Sequence, residues 1–261
     1  MYETLDITRE GGVATLWMNR PDVHNAFNEQ LIAELTLACR ALDADDSVRV
    51  MVLAGRGKSF SAGADLNWMR RAADASVEEN LQDARKLAGM LRTLAEMHKP
   101  TIARVHGAAL GGGMGLASAC DICIAGEGAV FATSEVKFGI IPSAISPYVI
   151  RAIGARQAHR YFQTAERISA ARAADLGLAH EAVSADQLDA TVQGVVTALL
   201  QGGPRSQAAA KDLIRAVADR PVSDEVVEDT ARRIATLRAT PEAKEGLAAF
   251  LDKRPAAWVP A

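Results

Sequence analysis

Cysteine is scarce in this chain, and the few present do not form a framework. Of 261 residues, only Cys39, Cys120 and Cys123 are cysteines. An odd, sparse set argues against disulfide stapling and fits a reducing compartment. Cys120 and Cys123 form a C-x-x-C, but no second pair completes a zinc set. The pair bridges a helix-to-strand junction, so two buried apolar thiols and no metal are the expectation. Positive charge never accumulates: no run of Lys or Arg exceeds two residues, and the formal net charge is −3. That excludes a nucleic-acid surface. No window is apolar and long enough to span a bilayer, and MYETLDITREGG has no basic-then-apolar leader. A cytoplasmic protein without a membrane partner is expected. Neither a repeat of fixed period nor a low-complexity linker divides the chain.

What is present is ordinary globular material, 49% hydrophobic and 23% charged. The length permits one domain with a large core, with or without a smaller appendage. The most informative stretch runs from Thr101 to Glu135. An apolar strand, Thr101 to Val105, enters a small-residue turn with Gly111, Gly112 and Gly113. A short helix pattern (Met114 to Ala119) and a second strand (Asp121 to Ala125) follow. Glycine between a strand and a helix lets a ligand approach the backbone, and the first helical amides lack intrahelical acceptors. Such a turn suits an oxygen that is gaining negative charge, and Glu135 lies downstream as a candidate acid/base.

Around that stretch the elements alternate. Val13 to Met18 reads as a strand. Asn28 is a candidate N-cap for a helix with Leu31, Ile32, Leu35, Ala38, Cys39 and Leu42 at helical spacing. Val48 to Ala54 reads as a strand buried on both faces, and KSFSAGADL after it as a loop. Gly57-Lys58-Ser59 is not a phosphate loop, because Val52 stands where that motif needs glycine. Ser76 to His98 reads as one long helix stopped by Pro100. Alternating strands and helices predict an α/β fold with crossover connections. From about residue 186 strand signals vanish. Helix patterns at 205–218, 223–237 and 241–251 follow Gly202-Gly203-Pro204. So small a helical unit must pack on the core or on a neighbouring subunit.

Five blocks in order, NRPDVHNAFN, KSFSAGADL, KPTIARVHGAALGGG with ACDICIA, SEVKFGIIP and ERISAARAADLGLAHEAV, resemble the crotonase superfamily of enoyl-CoA hydratases and isomerases over nearly the whole chain. SAISPYVIRAIGARQAHRYFQTAER is most similar to the bacterial branch that hydrates branched or carboxylated enoyl-CoAs, such as methylglutaconyl-CoA and carboxygeranoyl-CoA. The resemblance implies a spiral of ββα units over residues 1–186 and a helical trimerisation region over 187–261. It further implies an acyl-CoA thioester substrate, no separate cofactor, and self-association as trimers or paired trimers. It implies an oxyanion hole from the backbone amides of Ala64 and Gly112, with Glu135 handling the α-carbon proton. Val23 and His24 fall where the nucleotide end of CoA is held. Ala62, Ala64, Asp65, Leu66, Asn67 and Gly112 fall along the pantetheine and thioester.

A second carboxylate of the typical hydratase is missing: its position is Gly115. Hydration by Glu135 alone, double-bond isomerisation by Glu135 alone, and acyl-CoA binding without turnover all stay open. An apolar wall from Val130, Phe131, Val136, Phe138, Ile140 and Ile141 would raise the Glu135 pKa. Arg151 and Arg160 are candidate cations for a carboxylated tail. Leu66, Trp68 and Met69 are candidates for an acyl wall. His106 is expected to make a structural hydrogen bond. A Ser143-His106-Glu135 hydrolase reading lacks a G-x-S-x-G elbow.

Overall fold

A computed structural model describes residues 2–260. The chain opens with an antiparallel hairpin, β1 (Leu5–Glu10) and β2 (Val13–Met18), turned by Gly11 and Gly12 at φ 54° and 83°. Two successive left-handed residues are what a tight hairpin of the right twist demands. Helix α1 (Glu29–Ala44) starts at Asn28, whose side chain accepts from the Leu31 amide at 2.9 Å. It leads into β3 (Val50–Gly55), every residue of which is buried. Next come α2 (Leu66–Asp74) and α3 (Val77–Ala95), the latter started by a reciprocal Ser76–Glu79 capping box.

Strands β4 (Thr101–Val105) and β5 (Ala108–Leu110), helix α4 (Gly112–Ala119), and strands β6 (Ile122–Gly126) and β7 (Val130–Ala132) form the central part. After a 3₁₀ turn at Glu135–Phe138 come α5 (Ser146–Thr164), β8 (Ile168–Ser169), α6 (Ala170–Asp175) and β9 (Glu181–Val183). The chain ends in α7 (Leu188–Leu200), α8 (Pro204–Val217), α9 (Asp224–Arg238) and α10 (Pro241–Leu251).

The main sheet has the order β1-β2-β3-β4-β6-β9 and is parallel except for its first pair. A small sheet, β5-β7-β8, stands beside it, with β5 and β7 parallel. On one face of the main sheet, Leu16, Met51, Leu53 and Ala103 pack with Leu31, Leu35, Leu91, Leu94 and Leu116 of the crossover helices. On the other face, Val50, Val52, Ile102 and Ile124 pack with Leu188, Val192 and Val196 of α7. A parallel sheet needs both faces covered, and α7 supplies the second cover. The helices past residue 186 therefore divide: α7 closes the sheet, whereas α8 has no buried residue and α9 and α10 have one each, Val226 and Ala249.

The alternating α/β order expected from the sequence is present, followed by helices. Several elements lay outside that expectation, β8, β9 and α7 among them. β5 and β7 are three residues each, too short to show a period, and β1 exposes most of its length. Helix α2 sits in the stretch read as a loop and buries none of its residues. All three cysteines are buried and unpaired, and burial pushes the Cys39 and Cys123 thiols up to about 12. Among the described residues no His, Cys, Asp and Glu cluster could hold a metal ion, and no helix is long and apolar enough to cross a membrane.

Truncating the apolar anchor of α7 tests its role as the second cover. Leu188→Ala should cost about 2–5 kcal/mol in a denaturant titration. A cost near zero would mean that α7 does not hold the sheet.

Candidate active site

Two backbone segments meet because one zips onto the other. The Ser61 amide donates to Ala108 O at 2.9 Å, and the Leu110 amide returns to Ser61 O at 2.9 Å. Three residues after Ser61 comes Ala64, and two after Leu110 comes Gly112. Phe27 fixes the first segment from the other side: its amide donates to Gly63 O at 2.7 Å, and its carbonyl accepts from the Asp65 amide at 2.8 Å. The Phe27 ring lies so near Gly112 that a Cβ there would come within 2.7 Å of it. Gly111, at φ 48° and ψ −117°, turns the chain from β5 into α4 in a conformation side chains resist. Among the described residues, neither the Ala64 nor the Gly112 amide donates to a backbone or side-chain acceptor. Gly112 opens α4, whose dipole adds positive character at that end.

The parallel pairing of β5 with β7 brings the acid to the same place. Leu110 pairs with Ala132, and the Gly111 amide donates to Ala132 O at 2.8 Å, so both strands leave the small sheet at one end. Glu135 follows β7 at the head of the 3₁₀ turn. A Cβ built on Gly111 would lie 3.1 Å from Glu135 Oε1, which places that carboxylate against the glycine turn. Oε2 is buried without a hydrogen-bond partner among the described residues. Burial raises the Glu135 pKa, with only its own backbone amide pulling the other way.

Ala62, Ala64, Leu66, Gly112 and Glu135 border one cavity of about 470 Å³. Phe27, Trp68, Met69, Leu87, Leu110 and Ile145 add apolar lining, and Phe138, Ile140 and Ile141 form part of its rim. Of the residues expected to wall Glu135, Phe138, Ile140 and Ile141 border the cavity, and Val130, Phe131 and Val136 do not. Gly115 holds no vacancy. A Cβ there would meet Ile145 Cγ2 at 2.2 Å, and Ile145 is 2% exposed. The volume a second carboxylate would start from is already filled by an isoleucine.

Other candidates fall elsewhere. Asp65 does not border the cavity. It caps α2, accepting from the Asn67 amide at 2.9 Å, and pairs with Arg20 at 3.0 Å. The side chain of Asn67 accepts from Arg70. Val23 and His24 are exposed outside the cavity, His24 beside Ser59 Oγ at 3.1 Å, although His24 O accepts from the Ala62 amide. Arg151 faces a separate cavity and stacks on Tyr148, and Arg160 pairs with Glu166 on the surface, so neither can neutralise an acyl tail here. His106 bonds to Gly57 O at 2.9 Å, the structural role expected of it. Ser143 borders the cavity without His106, and the hydrolase constellation does not form.

Sequence reasoning missed Asn25. It is fully buried, donates to Arg56 O and Ser59 O, and accepts from the Arg20 amide, which locks the segment bearing Ala64. Its place in NRPDVHNAFN was the available signal; its left-handed φ of 54°, which asparagine tolerates, was not visible.

The family model for enoyl-CoA hydratase/isomerase matches residues 8–260. The chain belongs to the enoyl-CoA hydratase/isomerase family. It is 34% identical over 264 residues to the crotonyl-CoA hydratase of Syntrophomonas wolfei, covering 99% of this chain and 98% of that one. It is 33% identical over 252 residues to the 2,3-dehydroadipyl-CoA hydratase of Escherichia coli, covering 96% of each. A crystal structure of an enoyl-CoA hydratase from Shewanella pealeana superposes with a TM-score of 0.95 at 43% identity, covering 98% of this chain and 96% of that one. The fold is that of the crotonases, and the chain is an enzyme of this family.

The half-buried acid, with Oε2 out of solvent, makes a prediction about stability. A carboxyl whose folded pKa is raised supports the fold fully below its unfolded value of about 4.3, and that support is lost as pH rises through the folded pKa. Glu135→Gln removes the titrating group and with it the loss of support at higher pH. Denaturant titration should find this variant more stable than wild type at neutral pH, the difference closing as the pH falls through the carboxylate range. A less stable variant at neutral pH would contradict the burial of Glu135.

Proposed function

We propose that this enzyme adds water across the α,β-double bond of an enoyl-CoA thioester. The observation that carries the reading is the pair of acceptor-free amides, Ala64 and Gly112, bordering one cavity with a buried, partner-free Glu135 oxygen. The relatives named as hydratases support the direction. The thioester oxygen sits between the two amides. They need no reorganisation when it becomes an enolate oxygen. Glu135 enters neutral, as its raised pKa favours. Water oxygen bonds to the β-carbon while its proton passes to one Glu135 oxygen. The π electrons move to the thioester oxygen. The proton on the other Glu135 oxygen then goes to the α-carbon as the enolate collapses, and the acid is regenerated.

The same acid without water would move a double bond, taking a proton at one carbon and returning it at another. The contact between Gly115 and Ile145 favours this second reading, because it leaves no second carboxylate to hold a water. Binding without turnover is the third outcome of the test below. Conjugated thioester absorbance decides among them. Crotonyl-CoA should lose it on adding enzyme. A gain from a 3-enoyl-CoA without that loss would make the enzyme an isomerase, and no change in either would leave only binding. Ala64→Pro, which deletes one amide, should lower turnover about 10²–10³-fold. Glu135→Gln should lower it about 10²–10⁴-fold.

Self-association belongs to the same proposal. Ile214, Val227, Ile234, Leu247, Phe250 and Leu251 of α8–α10 are exposed, and Val23 and His24, the candidates for the nucleotide end of CoA, are exposed as well. We propose a trimer, or a pair of trimers. Light scattering on the eluted protein should give a multiple of three chains; a monomer would refute it.

A further inference from the structure

We propose that Asp83 makes this enzyme accept enoyl-CoA thioesters with an uncharged acyl tail and reject those ending in a carboxylate. The proposal rests on the cavity being the acyl site.

On α3, Asn80, Asp83, Ala84 and Leu87 recur at helical spacing and border the cavity. Asp83 Oδ2 accepts from the indole Nε1 of Trp68 at 3.3 Å. That bond ties α3 to α2 and sets the Trp68 ring as apolar wall. Asn80 braces the same junction, donating to Ala72 O at 3.0 Å and Ala75 O at 3.3 Å. The only charged residues bordering the cavity among those described are Glu135 and Asp83, both acids; no Lys, Arg or His does so. Lys86 reaches Asp83 Oδ1 at 3.3 Å, but it lies mostly in solvent and outside the cavity.

A terminal carboxylate entering here would lose water, find no cation, and face a fixed negative group. Uncompensated burial of a charge and like-charge contact both discriminate against it. An alkyl or branched tail meets Trp68, Met69 and Leu87 and incurs neither cost. The sequence resemblance to hydratases of carboxylated enoyl-CoAs therefore does not extend to this end of the cavity.

Calorimetric binding of hexanoyl-CoA and adipyl-CoA, saturated thioesters of equal chain length, tests this without turnover. Wild type should prefer hexanoyl-CoA at least about tenfold, about 1.4 kcal/mol. Asp83→Asn, which keeps an acceptor for Trp68, should bring the two within about threefold. Lys86→Ala, which leaves Asp83 charged, should keep or widen the wild-type preference. The proposal is overturned if wild type binds the two alike or prefers adipyl-CoA, or if Asp83→Asn leaves the ratio unchanged. If neither thioester binds, the acyl-CoA reading fails with it. If discrimination is found but crotonyl-CoA is not hydrated, only the hydration reading fails.

Discussion

The site depends on a close approach of two backbones at Ser61 and Ala109. Hydrogen bonds in both directions across that bridge hold a loop against a three-residue strand. A Cβ on Gly113 would lie 2.3 Å from Ser61 O, so the approach also requires that side chains be absent. Everything chemical follows from it. Amides that would have spent themselves in a sheet or helix stay free because their segments run past each other and then diverge. The neighbouring strand, paired in parallel, delivers a carboxyl to the same end.

Much of this was legible before any coordinates. The triple glycine, the acid after it, the Asn28 cap and the terminal helices were all marked by residue type at the right spacing. A helix such as Pro241–Leu251 carries its start signal and its apolar stripe in the sequence. The short strands do not, since three residues are less than two periods of alternation. Helix α2 was hidden for a different reason. Its apolar residues Leu66, Trp68 and Met69 border a cavity and none is fully buried, so no continuous core-facing stripe marked the helix. Asp65 was the cap of that unseen helix, which is why a reading by position placed it along the substrate. Arg151 and Arg160 failed as tail-binding cations because Arg151 borders a different cavity and Arg160 is paired with Glu166 at the surface.

The cavity mixes two environments that are seldom adjacent. One part of its lining offers unused donors and a carboxyl oxygen without a partner; another is apolar and carries a second acid bonded to an indole. Burial raises the carboxyl pKa in the first, where no cation borders the cavity to oppose it. In the second, Lys86 reaches Asp83 only from outside the cavity. One compositional fact about the lining thus bears on both the titration of Glu135 and the polarity of what can lie beside it.

The packing of Ile145 onto Gly115 also bears on ancestry. An acid cannot return at residue 115 in one step, because the isoleucine must shrink first, and shrinking it alone opens a void that weakens the core. The two changes are separated by a less fit intermediate in either order. While Ile145 keeps this packing, sterics close residue 115 to any side chain, whatever selection later asks of the substrate.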